Sequence, residues 1–160
     1  MTADPSTHFA QLMEETVAFA LDHVHNGGIP FAAFVVDRNG VILGRGVNCV
    51  RKHHDPTAHA EVEAIRDACH AHSTTQLAGA TLLASGEPCA MCYMNAVYAG
   101  ITTIYFAANR EEAALNGFDY RSGYALYEMD PTRWSSLQAR KLPVPEGLRP
   151  FQLFQERGTR

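Results

Sequence analysis

Nowhere does the chain carry an apolar run approaching the ~20 residues that a bilayer-crossing helix requires, so no membrane span is expected. Basic residues are scarce as well: 13 Lys and Arg against 17 Asp and Glu leave a formal net charge of −4. Duplex binding draws on a basic surface that neutralises phosphates, and this balance speaks against a polynucleotide partner without forbidding a local basic patch. The polar stretch Met1–His8 lacks the basic-then-apolar layout of a secretion signal, which makes a cytoplasmic location the expectation. Only four cysteines are present (Cys49, Cys69, Cys89 and Cys92), too few to staple 160 residues with disulfides. In a reducing compartment the close pair Cys89 and Cys92 instead reads as metal-binding or redox-active. Repeats, low-complexity tracts and linkers are also missing, so residues 1–160 are expected to form one domain. With 46% apolar and 19% charged residues, the composition is that of a folded globular chain rather than a disordered one.

What is there follows a layered rhythm. Phe9, Leu12, Met13, Thr16, Val17, Ala20, Leu21 and Val24 recur at helical spacing, predicting an amphipathic helix over about 6–26 that Asn26-Gly27-Gly28 stops. The unbroken apolar run Phe31–Val36 reads as a strand buried on both faces. Asn39-Gly40 is a tight-turn signal that pairs it with a second strand beginning at Val41–Leu43. Residues 48–57 read as a loop, and Asp55-Pro56-Thr57 offers capping chemistry for a helix over about 58–70, with Val62, Ile65 and Cys69 along one side. A strand at Thr81–Ala84, a helix at Cys89–Ala99, a strand at Thr102–Ala107 and a short helix at Arg110–Asn116 continue the alternation. Gln138–Leu142 is expected as an edge strand broken by Pro143 and Pro145, and Leu148–Arg157 as a terminal helix. Alternating strands and helices imply an α/β sheet with parallel crossovers.

Chemistry concentrates at two helix starts. His59-Ala60-Glu61 opens one and Pro88-Cys89-Ala90-Met91-Cys92 the other. Alone, the first pattern is common on solvated helices, and the second also fits a redox pair. Together they reproduce the H-x-E…P-C-x-x-C pattern of zinc deaminases. Helix N-termini carry unsatisfied N–H groups and partial positive charge, which favour the thiolate that zinc needs. Two thiolates and one neutral imidazole leave a fourth tetrahedral direction for water, whose pKa on zinc falls to about 7. Residues two apart on a helix point in different directions, so Glu61 is not a companion ligand to His59 but a proton shuttle beside that water.

The rival is a closed structural zinc site in a non-catalytic binding module, with a fourth ligand from Cys49, Cys69, His53 or His54. Cys69 falls on the apolar side of its helix and reads as core. His8, His23, His25, His70 and His72 read as solvated, and Trp134 as packing for the C-terminal segment.

From Pro30 to Asp119 the chain resembles the cytidine-deaminase superfamily. The block His54-Asp55-Pro56-Thr57-Ala58-His59-Ala60-Glu61 is similar to both bacterial guanine deaminases and bacterial tRNA adenosine deaminases. Gly28-Ile29-Pro30-Phe31-Ala32-Ala33, Ile65-Arg66-Asp67-Ala68-Cys69, Gly117-Phe118-Asp119 and Pro150-Phe151-Gln152 resemble the guanine deaminases. The resemblance implies a three-layer α/β/α sandwich around a mixed five-stranded sheet, with one zinc per subunit on His59, Cys89 and Cys92. It further implies substrate contacts from Phe31, Asn48, Ala60 and Asp119, and a homodimer in which residues 122–160 exchange between subunits. From the residues alone, Phe31 also reads as a core strand residue and Asn48 as a turn former.

The expected reaction converts guanine to xanthine and ammonia. Another aminated ring (cytosine, a pterin, a triazine) or adenosine in tRNA stands as the alternative. Two positions depart from the guanine-deaminase pattern. Tyr120 stands where the family has a second, base-recognising Asp, and Glu156-Arg157-Gly158-Thr159-Arg160 lacks the family's terminal tyrosine. Zinc chemistry depends on neither position; the choice of ring does.

Overall fold

The computed structural model describes residues 5–158. The chain end Thr159-Arg160, where the resemblance places a pocket tyrosine that this sequence lacks, lies outside the described residues. The chain divides into two units, 1–125 and 126–160.

The first unit holds a sheet of β1 (Ala32–Val36), β2 (Ile42–Val47), β3 (Thr81–Gly86) and β4 (Thr103–Ala108) in the order β2-β1-β3-β4. β1 runs antiparallel to β2 and to β3, and β3 runs parallel to β4. Asp37 sets the hairpin between β1 and β2: its Oδ1 accepts from the N–H groups of Asn39 and Val41, while Gly40 takes the turn's positive φ of 77°.

All five residues of β1 are buried, because helices cover both faces. Phe34 and Val36 point with Leu83 toward Leu12 of α1 (Pro5–His25), while Ala33, Val35 and Leu82 point toward α3 (Ala60–Ala71) and α4 (Ala90–Tyr98). That is the expected three-layer α/β/α architecture with a mixed sheet. Thr16, fully buried in α1, satisfies its hydroxyl by donating to Leu12 O at 2.8 Å.

The placement of α3 rests on a small-residue contact. A Cβ on Gly44 would lie 2.5 Å from Ala64 O and Ala68 N, and one on Gly46 would lie 2.3 Å from Ala60 O and Ala64 N. The alternating glycines of β2 face Ala60, Ala64 and Ala68, spaced four apart on α3, and the helix backbone lies directly on the strand. This contact sets the height of the α3 N-terminus above the sheet.

Three expectations are corrected. Residues 138–142 form no strand, so the described sheet has four strands rather than five. Pro143 and Pro145 remove N–H donors beside the segment, and Leu142 is 85% exposed, so no buried face holds it extended. Residues 48–57 are not all loop: α2 (Val50–His53) forms one helical turn and ends at His54, whose φ is 49°. Asp55 does not cap α3 either. Its Oδ1 accepts from the N–H and hydroxyl of Thr57, and His59 occupies the capping position instead.

After α5 (Arg110–Leu115), capped by the reciprocal bonds of Asn109 and Glu112, a 3₁₀ stretch runs over Arg121–Glu128. The second unit contains a further 3₁₀ turn at Pro131–Arg133 and helix α6 (Arg149–Glu156), clipped by the Arg149–Glu156 ion pair. Trp134 donates from Nε1 to Met129 O at 3.1 Å, packing its own segment as expected.

Candidate active site

His59 is the N-cap of α3 and Cys89 the N-cap of α4, and neither side chain makes the usual capping hydrogen bond. A side chain at that position ordinarily turns back onto the helix's own N–H groups. Here both turn outward toward each other. His59 Nδ1 lies 3.5 Å from Cys89 Sγ and 3.5 Å from Cys92 Sγ, and the two sulfurs are 3.6 Å apart.

These spacings suit one ion. Ligands at ~2.3 Å (sulfur) and ~2.0–2.1 Å (nitrogen) in tetrahedral array sit about 3.6–3.8 Å from one another. Among the described residues this group holds three ligands and no fourth. Cys49 and His53, candidates for closing the site, group with Glu63 instead, and His54 and Cys69 join neither group. Cys69 packs against the core, as its position in the helix predicts.

Glu61 is 4% exposed, with Oε2 3.4 Å from Cys92 Sγ. Burial pushes its carboxyl above the ordinary range, so it holds and returns a proton more readily than a surface glutamate. The hydrogen bond shared with Cys92 lowers the Cys89 thiol to about 4, opposed by burial and helped by His59. Cys92, fully buried, is pushed upward by the same bond and by burial. His59 is raised, chiefly by its bond to Cys89. Of the two thiols, Cys89 is thus the one favoured as the thiolate, while Cys92 holds its proton more tightly.

Beside these groups opens a cavity of about 210 Å³ lined by Ile29, Phe31, Asn48, Ala60, Glu61, Glu87, Phe118 and Tyr120, with His59 and Cys89. Phe31 meets Phe118 edge-on at 5.2 Å and Tyr120 at 6.4 Å, and its ring fits because residue 86 is glycine. Asn48 is held at the rim by three bonds. Its N–H donates to Phe31 O, its Oδ1 accepts from the Val50 N–H, and its carbonyl lies 2.9 Å from His23 Nε2. His23 is thus a partly buried support for the cavity wall rather than a solvated residue, while His8, His25, His70 and His72 are exposed as expected.

Phe31, Asn48 and Ala60 are brought together at the cavity. Asp119 is not: its carboxylate is 54% exposed, takes two bonds from the Arg121 guanidinium, and lies outside the lining. Its place in the wall is taken by Tyr120.

A second network went unread in the sequence. Glu87, 6% exposed, accepts from the Arg110 N–H at 2.9 Å, from its guanidinium at 2.7 and 3.1 Å, and from Tyr93 Oη at 2.9 Å. Burial pushes the Glu87 carboxyl up, but the bonds from Arg110 and Tyr93 outweigh it and leave the group below its ordinary range. Tyr120 donates to Glu87 O at 2.6 Å, Tyr124 donates to Pro88 O, and the Arg110 guanidinium stacks 3.6 Å from the Tyr124 ring. Two tyrosines thus hold the two carbonyls just before Cys89. The sequence signal was faint: Glu87 borders the cysteine motif, but its partners lie 6 to 33 positions along the chain.

Three metal donors on two helix N-termini, a buried carboxylate alongside and a small aromatic cavity define a class, the metal-dependent hydrolases that activate water against a compact substrate. The family model for the cytidine and deoxycytidylate deaminase zinc-binding region matches residues 6–108. The guanine deaminase of Bacillus subtilis is 36% identical over 144 residues, covering 89% of this chain and 90% of that one. Its X-ray structure superposes with a TM-score of 0.83 at 34% identity, over 92% of this chain and 93% of that one. The tRNA-specific adenosine deaminase of Buchnera aphidicola is 38% identical over 82 residues, 51% of this chain and 50% of that one. The chain belongs to the cytidine and deoxycytidylate deaminase family, with a His/Cys/Cys site suited to its zinc ion.

Proposed function

We propose that the protein hydrolyses the exocyclic C–N bond of a small aminated nucleobase, with guanine as the favoured substrate, giving xanthine and ammonia. The observation that carries this reading is Glu61, buried 3.4 Å from one of three converging metal donors and lining the cavity. His59, Cys89 and Cys92 would hold the zinc ion, which would act as a Lewis acid and favour nucleophilic water at neutral pH. The chain's own residues do the rest. Glu61 takes a proton from the water that adds to the amine-bearing carbon and gives it to the adjacent ring nitrogen, then takes the second proton from the added hydroxyl and delivers it to the departing amine as the carbonyl forms. Overall, one water is consumed and one ammonia released.

Phe31 and Phe118 offer aromatic faces and edges to a planar ring, and the Asn48 amide can bond its polar edge. The cavity volume, about 210 Å³, falls under the ~300 Å³ at which drug-sized pockets begin, which favours a free base over a larger substrate. Guanine is further supported by the likeness to the Bacillus subtilis enzyme along nearly the whole chain, whereas the adenosine deaminase of Buchnera aphidicola matches half of it.

The working unit is proposed to be a cytoplasmic homodimer serving purine metabolism, in which residues 122–160 exchange between subunits. Supporting the exchange, the chain divides near residue 125, and Leu148, Phe151 and Phe154 in and beside α6 are 68%, 69% and 64% exposed. No helix among the described residues is long and apolar enough to cross a membrane.

The test is ammonia release by the zinc-loaded protein from guanine, adenine, cytosine, their nucleosides, pterins and aminotriazines. Guanine should give the highest kcat/KM. Turnover of tRNA with a salt-sensitive complex, and none of any free base, would move the substrate to the polynucleotide.

A further inference from the structure

A second set of metal donors lies outside the catalytic group. Cys49 caps α2, and His53 follows four residues later, so the two side chains share one face of that turn. His53 N–H donates to Cys49 O at 2.8 Å, which closes the turn. Cys49 N–H donates to Ala58 O at 2.9 Å, tying α2 to the residue that precedes His59. Glu63 joins from the first turn of α3, and one donor atom from each of the three residues lies within 4.8 Å of the other two.

We propose that Cys49, His53 and Glu63 form a second site for a zinc-class divalent cation, separate from the catalytic one. A thiolate, an imidazole and a carboxylate select borderline transition ions such as Zn²⁺ or Co²⁺ over Mg²⁺ or Ca²⁺, which want oxygen alone. The site is weaker than the first for two visible reasons. His53 is exposed and loses rotamer freedom on binding. Arg66 holds Glu63 Oε1 at 2.6 Å, which leaves Oε2 for the ion and sets a guanidinium charge nearby. Water completes the coordination. Binding staples α2 to α3, across the link that also carries Asn48.

The test uses the full-length protein carrying one zinc per chain, titrated with Co²⁺. Near-ultraviolet thiolate-to-cobalt charge transfer, bound cobalt after gel filtration and released zinc are read together. One further Co²⁺ per chain should bind with a single-thiolate band and no zinc release, unmoved by equimolar Mg²⁺. Cys49→Ser should abolish the band, and His53→Ala, a change at an exposed position, should weaken binding at least tenfold. Both variants should keep their first zinc and their deaminase activity. No second equivalent in the unsubstituted protein, cobalt uptake matched by zinc release, or undiminished binding in the two variants would each overturn the assignment.

Discussion

Replacing Gly46 by alanine tests how the catalytic helix is positioned. The new Cβ would lie 2.3 Å from Ala60 O and Ala64 N, whereas ordinary contact begins at 3.4 Å, so helix and strand must part by about 1 Å. The obstacle is helix backbone, which has no rotamer to adopt. Overpacking of this kind costs ~1–3 kcal/mol, and the rigid contact places Gly46→Ala toward the upper end. For a chain of this length that lowers Tm by roughly 5–10 °C. Ala60 sits between His59 and Glu61, so the displacement reaches both, and a 1 Å misplacement of reacting groups costs about 10²-fold in rate. Thermal unfolding of the zinc-loaded variant, with steady-state deamination measured alongside, reads both effects. Trimming the neighbouring side chain, in Gly46→Ala with Ala64→Gly, should not rescue activity, because the clash is with main-chain atoms. If Gly46→Ala keeps the parental Tm and kcat, the direct seating of α3 on β2 does not set the site.

Other consequences follow from the same geometry. Tyr120→Phe removes the 2.6 Å bond to Glu87 O and should cost ~0.5–1.5 kcal/mol in urea unfolding, with KM rising while zinc content holds. Glu87 has a lowered folded-state pKa, so its contribution is present above the ordinary carboxylate value and disappears as pH falls through the folded value. Glu87→Gln should therefore lose about 1.5–3 kcal/mol at pH 7, and the gap to the parent should narrow as pH is lowered below the ordinary carboxylate range, as paired urea midpoints would show. Stripping zinc should expose Cys89, ionised above about 4, to iodoacetamide at pH 6, while Cys92 stays unmodified and the zinc-loaded protein resists. Peptide mapping distinguishes these outcomes.

The convergence of His59, Cys89 and Cys92 was legible because their chemistry is local: each motif opens a helix, and order along the chain brings the two together. The first four strands were legible for the same reason, as short apolar runs between turn signals. The fifth strand expected at Gln138–Leu142 does not form, since such a segment becomes a strand only where a neighbouring edge and a buried face hold it. Gly44 and Gly46 carry no local signal because their meaning lies in Ala60, Ala64 and Ala68, which sit on another element. In the sequence Tyr120 shows only as a missing carboxylate; its hydroxyl's bond to Glu87 O depends on how residues 118–124 fold back. His23 reads as solvated because a helix wheel cannot show that Asn48 lies across from it. Polar residues whose partners are distant in sequence carry little local signal.

The most direct measurement is zinc content and turnover of Glu61→Gln. The amide keeps the shape of the side chain and removes its capacity to carry the proton, while His59, Cys89 and Cys92 are untouched. Zinc should remain near one per chain while ammonia release from guanine falls by several orders of magnitude, beyond the ~10²–10⁴-fold of ordinary acid–base catalysis if both proton transfers run through this group. Turnover near that of the unsubstituted protein, with zinc bound, would show that the buried carboxylate does not move the protons of this reaction.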